Sequence, residues 1–157
     1  MSTELPTPKP RHIFRIDATL DTPVELGPIA GGRRRIVPLT GGSFSGTELS
    51  GTVLAVGSAD WQTVHEDGSS VGDIRMTLQT DSGAVLYVQS RAVRYGPPSV
   101  LARLARGEAV DPSEYTFRTA TEIETTDEQL QWLNQGIFIA VGGRQSAGVS
   151  YDVYIID

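Results

Sequence analysis

A chain of 157 residues can bury about two-thirds of its unfolded surface in one core and is too short for two comfortable domains, so one domain is expected. A formal charge of −6 argues against a nucleic-acid partner, which would need clustered Lys and Arg. With no cysteine and only His12 and His65, a disulfide framework, a thiolate nucleophile and a zinc site are set aside, and no cofactor or metal is expected.

The first ten residues, MSTELPTPKP, are rich in Pro and read as a flexible tail, leaving residues 11–157 as the domain. They lack the basic and apolar regions of a signal peptide. No apolar run approaches the roughly 20 residues of a membrane span, so a cytoplasmic, non-membrane protein is expected. Beyond the tail, short β-type segments punctuated by glycine fall near 11–20, 34–40, 47–56, 60–66, 72–80, 84–95, 114–124, 136–143 and 148–156. Arg33-Arg34-Arg35 reads as a solvated strand start. Gly41-Gly42-Ser43-Phe44-Ser45-Gly46 has neither the lysine nor the helix of a phosphate loop, and reads as a bulge or barrel corner. Glu66-Asp67-Gly68 and Asp81-Ser82-Gly83 place Gly after a carboxylate, as hairpin turns require.

Two segments break the β pattern. After Pro97-Pro98, Ser99 is a candidate N-cap for a helix with Val100, Leu101, Leu104 and Ala105 on one face, ending at Gly107. Near 127–134, Thr126 and Gln129 fit a capping box, and Asn134 is expected to end the helix as the chain enters the next strand. Trp132, at the edge of that helix's apolar face, is expected to close one end of a pocket, with plain core packing as the alternative. The architecture that accommodates all this is all-β: a single antiparallel β-barrel plugged by two short helices.

Alternation assigns shared faces. Asp73, Arg75, Thr77 and Gln79 oppose Ile74, Met76 and Leu78, and Asp73 and Arg75 are expected to face the barrel interior together. The apolar set would then pack against a helix or another subunit. Tyr87, Gln89 and Arg91 share a face, while Arg118, Glu122 and Glu124 oppose Tyr115 and Phe117. Whether each polar stripe meets water or lines a wet pocket stays open.

No nucleophile elbow is present, so carboxylates and arginines are the usable chemistry. Asp60 directly precedes Trp61, a pairing that can set a proton-transfer group beside an apolar wall; the alternative is a turn residue. Asp73 and Arg75 can pair to orient a ligand oxygen, or form a surface salt bridge.

The ordered motifs Arg34-Arg35-Ile36, Leu39-Thr40-Gly41-Gly42-Ser43-Phe44, Asp60-Trp61, Asp73-x-Arg75-x-Thr77-Leu78, Tyr115-x-Phe117-Arg118, Trp132-Leu133-Asn134 and Val149-x-Tyr151-x-Val153-Tyr154 resemble the domain-of-unknown-function 3237 family. The likeness spans roughly residues 12–156. Ile123, before the Glu124-Thr125 pair, and Thr47 depart from the pattern without threatening the fold. The resemblance implies a calycin-like barrel that self-associates, hence a homo-oligomer. It also implies the chemistry of a few members: cofactor-free ring closure, adding a hydroxyl across an activated double bond.

Together these readings lead to a cofactor-independent acid/base enzyme, of lyase or isomerase type, acting on a small, partly aromatic organic substrate. Asp60 or Asp73 would be the acid/base, and Arg75 or Arg118 would fix an enolate or carboxylate oxygen. Trp61, Tyr87, Arg91, Tyr115, Arg118, Trp132 and Asn134 would contact the substrate. The competing expectation is a non-catalytic small-molecule-binding β-barrel. A buried carboxylate with a shifted pKa favours the enzyme, and a purely apolar pocket favours carriage.

Overall fold

Strict alternation of apolar and polar side chains gives the chain long strands, and their register rolls them into a closed sheet. The computed structural model describes Met1 and residues 3–157. Among these described residues nine antiparallel strands run in chain order: β1 (Pro10–Leu20), β2 (Val24–Ile29), β3 (Gly32–Ser45), β4 (Ser50–Val64), β5 (Ser70–Thr80), β6 (Val85–Tyr95), β7 (Thr116–Glu124), β8 (Phe138–Arg144) and β9 (Gly148–Ile156). Their spatial order is β1-β9-β8-β7-β6-β5-β4-β3-β2, and β1 also pairs with β3, closing an eight-stranded barrel with β2 as an extra strand.

Closure happens at the glycine-rich corner. Gly41 and Gly42 have φ values of 153° and 127°, and a Cβ on Gly42 would collide with the Asp17 carbonyl of β1. Gly42 pairs there with Ala18, and the β3–β4 ladder slips between Pro38 and Ser43. This is the corner expected from sequence.

Three strand assignments differ most from expectation, and the first is β3, which runs on through the glycine corner to Ser45 where residue 40 was expected to end it. The segments 47–56 and 60–66 are one strand, β4, because the ladder to β5 is interrupted but not ended between Leu54 and Ala59. Ser58 secures that bulge, donating from Oγ to Leu54 O at 2.6 Å and accepting from Thr77 N at 3.1 Å. Strand β2, VELGPI, lies outside the barrel with Val24 and Leu26 more than half exposed, so it lacks the apolar alternation that marks the others.

The inner face is filled by apolar side chains. Ile74, Met76 and Leu78 of β5 are at most 2% exposed, beside Phe14, Phe44, Leu86 and Val88. The expectation for β5 is therefore reversed in side: the apolar set faces inward, and Asp73 and Arg75 lie outside, half-exposed, 3.6 Å apart. In an eight-stranded barrel the interior is just wide enough for side chains to fill it, so the apolar set takes it.

Helices close the two ends. α1 (Pro98–Ala105) buries Val100, Leu101 and Leu104, with Leu101 seated on Gly68 of the β4–β5 turn. It starts two residues earlier than expected, with Pro97 rather than Ser99 at the N-cap and no capping side chain. α2 (Trp132–Gln135) is a single turn at the opposite end, anchored by fully buried Leu133 and preceded by a 3-10 turn whose cap is Asp127, which accepts from Gln129 N, rather than Thr126. Among the described residues no helix is long and apolar enough to cross a membrane.

Candidate active site

On β4 the inward positions above the bulge are Asp60 and Gln62. Neighbouring strands carry the same layer onward: Gln62 is paired with Arg35 of β3 and Gly72 of β5, and Gly72 with Ala92 of β6. Nearer the α1 end, β6 contributes Arg94, β9 contributes Tyr151 and, one inward position beyond it, β8 contributes Arg144. These side chains converge inside the barrel.

Asp60 is 5% exposed. Its Oδ2 accepts from Gln62 Nε2 at 2.6 Å, and Gln62 Oε1 in turn accepts from Arg35 Nε at 2.8 Å, which fixes the amide's orientation. Oδ1 is buried without a protein partner among the described residues. Burial pushes the carboxyl pKa up, opposed by the Gln62 hydrogen bond and by the charges of Arg94 and Arg35. The proton on Asp60 is therefore held more tightly than in water.

Arg94 lies across the same space, with its Nε buried and also without a protein partner. Burial, then the nearby charges of Arg35 and Arg144, pushes its pKa down to about 10, which leaves it charged at neutral pH. Burial and the charge of Asp60 push the Tyr151 phenol pKa up, so it stays protonated. The cavity these groups share is about 20 Å³, room for roughly one water-sized group. It adjoins a larger mouth of about 570 Å³ through Arg94 and Arg144, which line both. One wall of the mouth is the α1 face of Leu101, Leu104 and Ala105.

The other expected site residues are distributed elsewhere. Trp61, Asp73 and Arg91 meet on the outer wall, in a groove of about 690 Å³ with Arg34 and Glu122. Arg75 stands beside Asp73 there, and Tyr87 lies on the same outer face, 37% exposed, at 3.5 Å from Gln89. Arg118 is also outside, donating from Nη1 to the Phe117 carbonyl at 3.0 Å. Tyr115 is buried, its hydroxyl accepting from Arg144 N at 2.8 Å, so it braces the start of the β8–β9 turn.

Trp132 and Asn134 sit at the α2 end, away from Asp60. Trp132 packs partly on the core and borders a groove of about 470 Å³ with Arg11, Glu48 and Ile155. Asn134 does not end its helix, which runs on to Gln135. Its Oδ1 accepts from Thr125 N and its Nδ2 donates to Thr125 O, both at 2.9 Å, so the amide clamps the chain leaving β7.

Of the acid/base candidates, only Asp60 faces the interior. Sequence reading missed Arg35, Gln62, Gly72, Arg94, Arg144 and Tyr151. Parity gave a usable signal for Gln62, two residues from Asp60, and for Arg94, which continues the buried series Leu86, Val88, Ser90 and Ala92. Among the described residues no group of three His, Asp or Glu is placed to hold a metal ion.

Comparison with known proteins agrees with this architecture. A UPF0311 protein of Rhodopseudomonas palustris is 37% identical over 149 residues, covering 95% of this chain and 97% of that one. The crystal structure of a conserved protein of unknown function from the same organism matches with a TM-score of 0.93 at 35% identity, covering 98% of this chain and all of that one. A β-barrel-like protein from Acinetobacter baumannii matches with a TM-score of 0.87 at 35% identity, over 99% of this chain and all of that one. A structure described as an enzyme from Penicillium herquei shares the fold over the full length of both chains, with a TM-score of 0.72 at 19% identity. Residues 8–156 match the family described as protein of unknown function DUF3237, and the chain belongs to that family.

Proposed function

We propose that this barrel is a cofactor-independent acid/base enzyme of lyase or isomerase type, with Asp60 as the proton-transfer group. The observation that carries the reading is the Asp60 carboxylate: buried, held at one oxygen by Gln62 and free at the other beside a cavity. For ring closure by hydroxyl addition, Asp60 would accept the hydroxyl proton as the C–O bond forms. The double-bond electrons would move onto the conjugated carbonyl oxygen, facing Arg94. Return of the proton to carbon would then complete an isomerisation with no atoms gained or lost.

The cavity beside Asp60 admits a single small group, so the body of a substrate would rest in the mouth against α1. That a distant neighbour of the same fold is described as an enzyme is compatible with catalysis and carries no more. The test is cyclisation of a hydroxyaryl enone such as 2′-hydroxychalcone. Wild type should accelerate it, and Asp60→Asn should lose roughly 10²–10⁴-fold.

The size and apolar wall of the mouth favour a second reading, a barrel that holds a small molecule without changing it. Saturable binding of such compounds with no turnover by wild type would select it. We also infer a homo-oligomer, supported by exposed Ile137 and Ile139 on the outer wall. Light scattering showing a monomer at working concentrations would remove that inference.

A further inference from the structure

The guanidinium groups of Arg35, Arg94 and Arg144 converge on the α1 end of the barrel, and the only carboxylate among the residues lining the inner cavity is Asp60. Their partners are few. Arg35 donates to neutral Gln62, and its one nearby countercharge outside the cavity is its cross-strand neighbour Glu25, which also pairs with Arg33. Among the described residues the Arg94 and Arg144 guanidinium groups have no hydrogen-bonded or ion-paired side chain, and Arg94 Nε is buried as well. The carboxylates at the mouth are Glu66 and Asp67 on the exposed β4–β5 turn, and Asp67 is already occupied by Ser69 N and Oγ. A chain of net charge −6 thus holds a cationic concavity, and low-dielectric walls focus such a field toward anions.

We propose that this mouth is an oxyanion receptor, and that the ligand is a small amphiphilic monoanion, a carboxylate or an equally charged phenolate or enolate. Its charged oxygen enters between Arg94 and Arg144, and its apolar body lies under α1 against Leu101 and Leu104. The size of the two spaces supports this division: the inner cavity takes one oxygen-sized group, and the mouth takes a ring. Arginine suits the task because its planar fork matches a carboxylate with two parallel hydrogen bonds. The inference builds on the acid/base reading in naming a substrate class for the same cavity, but the receptor does not need Asp60 to react.

The experiment titrates the protein with benzoate and, separately, with its neutral analogue benzamide, following the Arg94 Nε–H resonance by NMR and the affinity by calorimetry. Benzoate should shift that resonance and benzamide should not. Arg94→Gln and Arg144→Gln should each weaken benzoate roughly tenfold or more, as for a lost charge-assisted bond, with Arg94→Lys in between. Asp60→Asn should bind benzoate at least as tightly as wild type, since a neighbouring negative charge is gone. Equal binding of benzamide, or benzoate binding that leaves Arg94 Nε–H unmoved, overturns the receptor without any variant having to fold. If benzoate titrates Arg94 while Asp60→Asn retains full enone turnover, the acid/base reading fails and the receptor stands. If turnover needs Asp60 while benzoate ignores Arg94, the receptor fails alone.

Discussion

Gly72 and Asp60 face each other on the inner wall of the β4–β5 ladder so closely that a Cβ on Gly72 would lie 2.6 Å from Asp60 Oδ1 and 3.1 Å from Oδ2. Gly72 does not have a positive φ, so its backbone would accept any residue. The glycine is there for space: it is what lets a carboxylate stand upright in a packed interior.

Gly72→Ala should therefore push the Asp60 side chain off its Gln62 bond. Overpacking of this kind costs about 1–3 kcal/mol. Denaturant unfolding should show that loss, and enone turnover should fall with it, whereas the outer-wall substitution Asp73→Ala should change stability by under about 1 kcal/mol.

The raised pKa of Asp60 makes a signed prediction about pH. Because the folded state favours the protonated carboxyl, its contribution to stability is complete below the unfolded pKa of about 3.9 and is lost as pH rises through the higher folded value. Asp60→Asn mimics the protonated form. Its melting temperature should match wild type near pH 3.5 and exceed it at pH 8, and the reverse order at pH 8 would mean that attraction to Arg94 and Arg35 outweighs burial.

Gln62 joins Arg35 to Asp60 through two hydrogen bonds. Gln62→Leu keeps the volume but strands both neighbours, so a destabilisation of about 1–3 kcal/mol is expected. Carboxyl NMR should also find the Asp60 pKa moved further up, because the bond that lowers it is gone.

Asn134 belongs to the other end of the barrel. Asn134→Ala should cost about 1–3 kcal/mol by leaving the Thr125 amide and carbonyl without their clamp. Benzoate affinity should not change, and a loss of binding would show that the two ends are coupled.

Barrel class, most strands and both helices could be read from the sequence because alternation and glycine placement are local signals. β5 shows where such reading stops. Its two faces were separated correctly, but alternation does not say which face is inside, and the packing demand of a narrow barrel decided it. Asp60 was visible as a candidate from its place beside Trp61. Arg94 carried only the parity of its strand and Arg144 not even that, because an arginine at a strand end looks like any solvated charge until register brings three strands together. Arg35 was hidden in a basic run of which Arg33 pairs with Glu25 and Arg34 borders the outer groove, so only the last residue of the run was misread. Strand β2, with Gly27 and Pro28 in six residues, carries no periodicity to detect.

The seam of the barrel bears on how the protein is made. Strand β1 lies between β3 and β9, and beyond the paired strands Lys9 and Asp157 exchange two backbone hydrogen bonds of 2.9 Å. A ribosome delivers β1 first and β9 last, so the emerging chain carries β1 with one edge unpaired until synthesis of β9 is finished. For that interval the nascent sheet is open along its length and able to pair with a neighbour on the same message. On ribosomes stalled behind an appended C-terminal linker, hydrogen exchange should find the β9-facing amides of β1 protected only once residues 148–156 have cleared the exit tunnel.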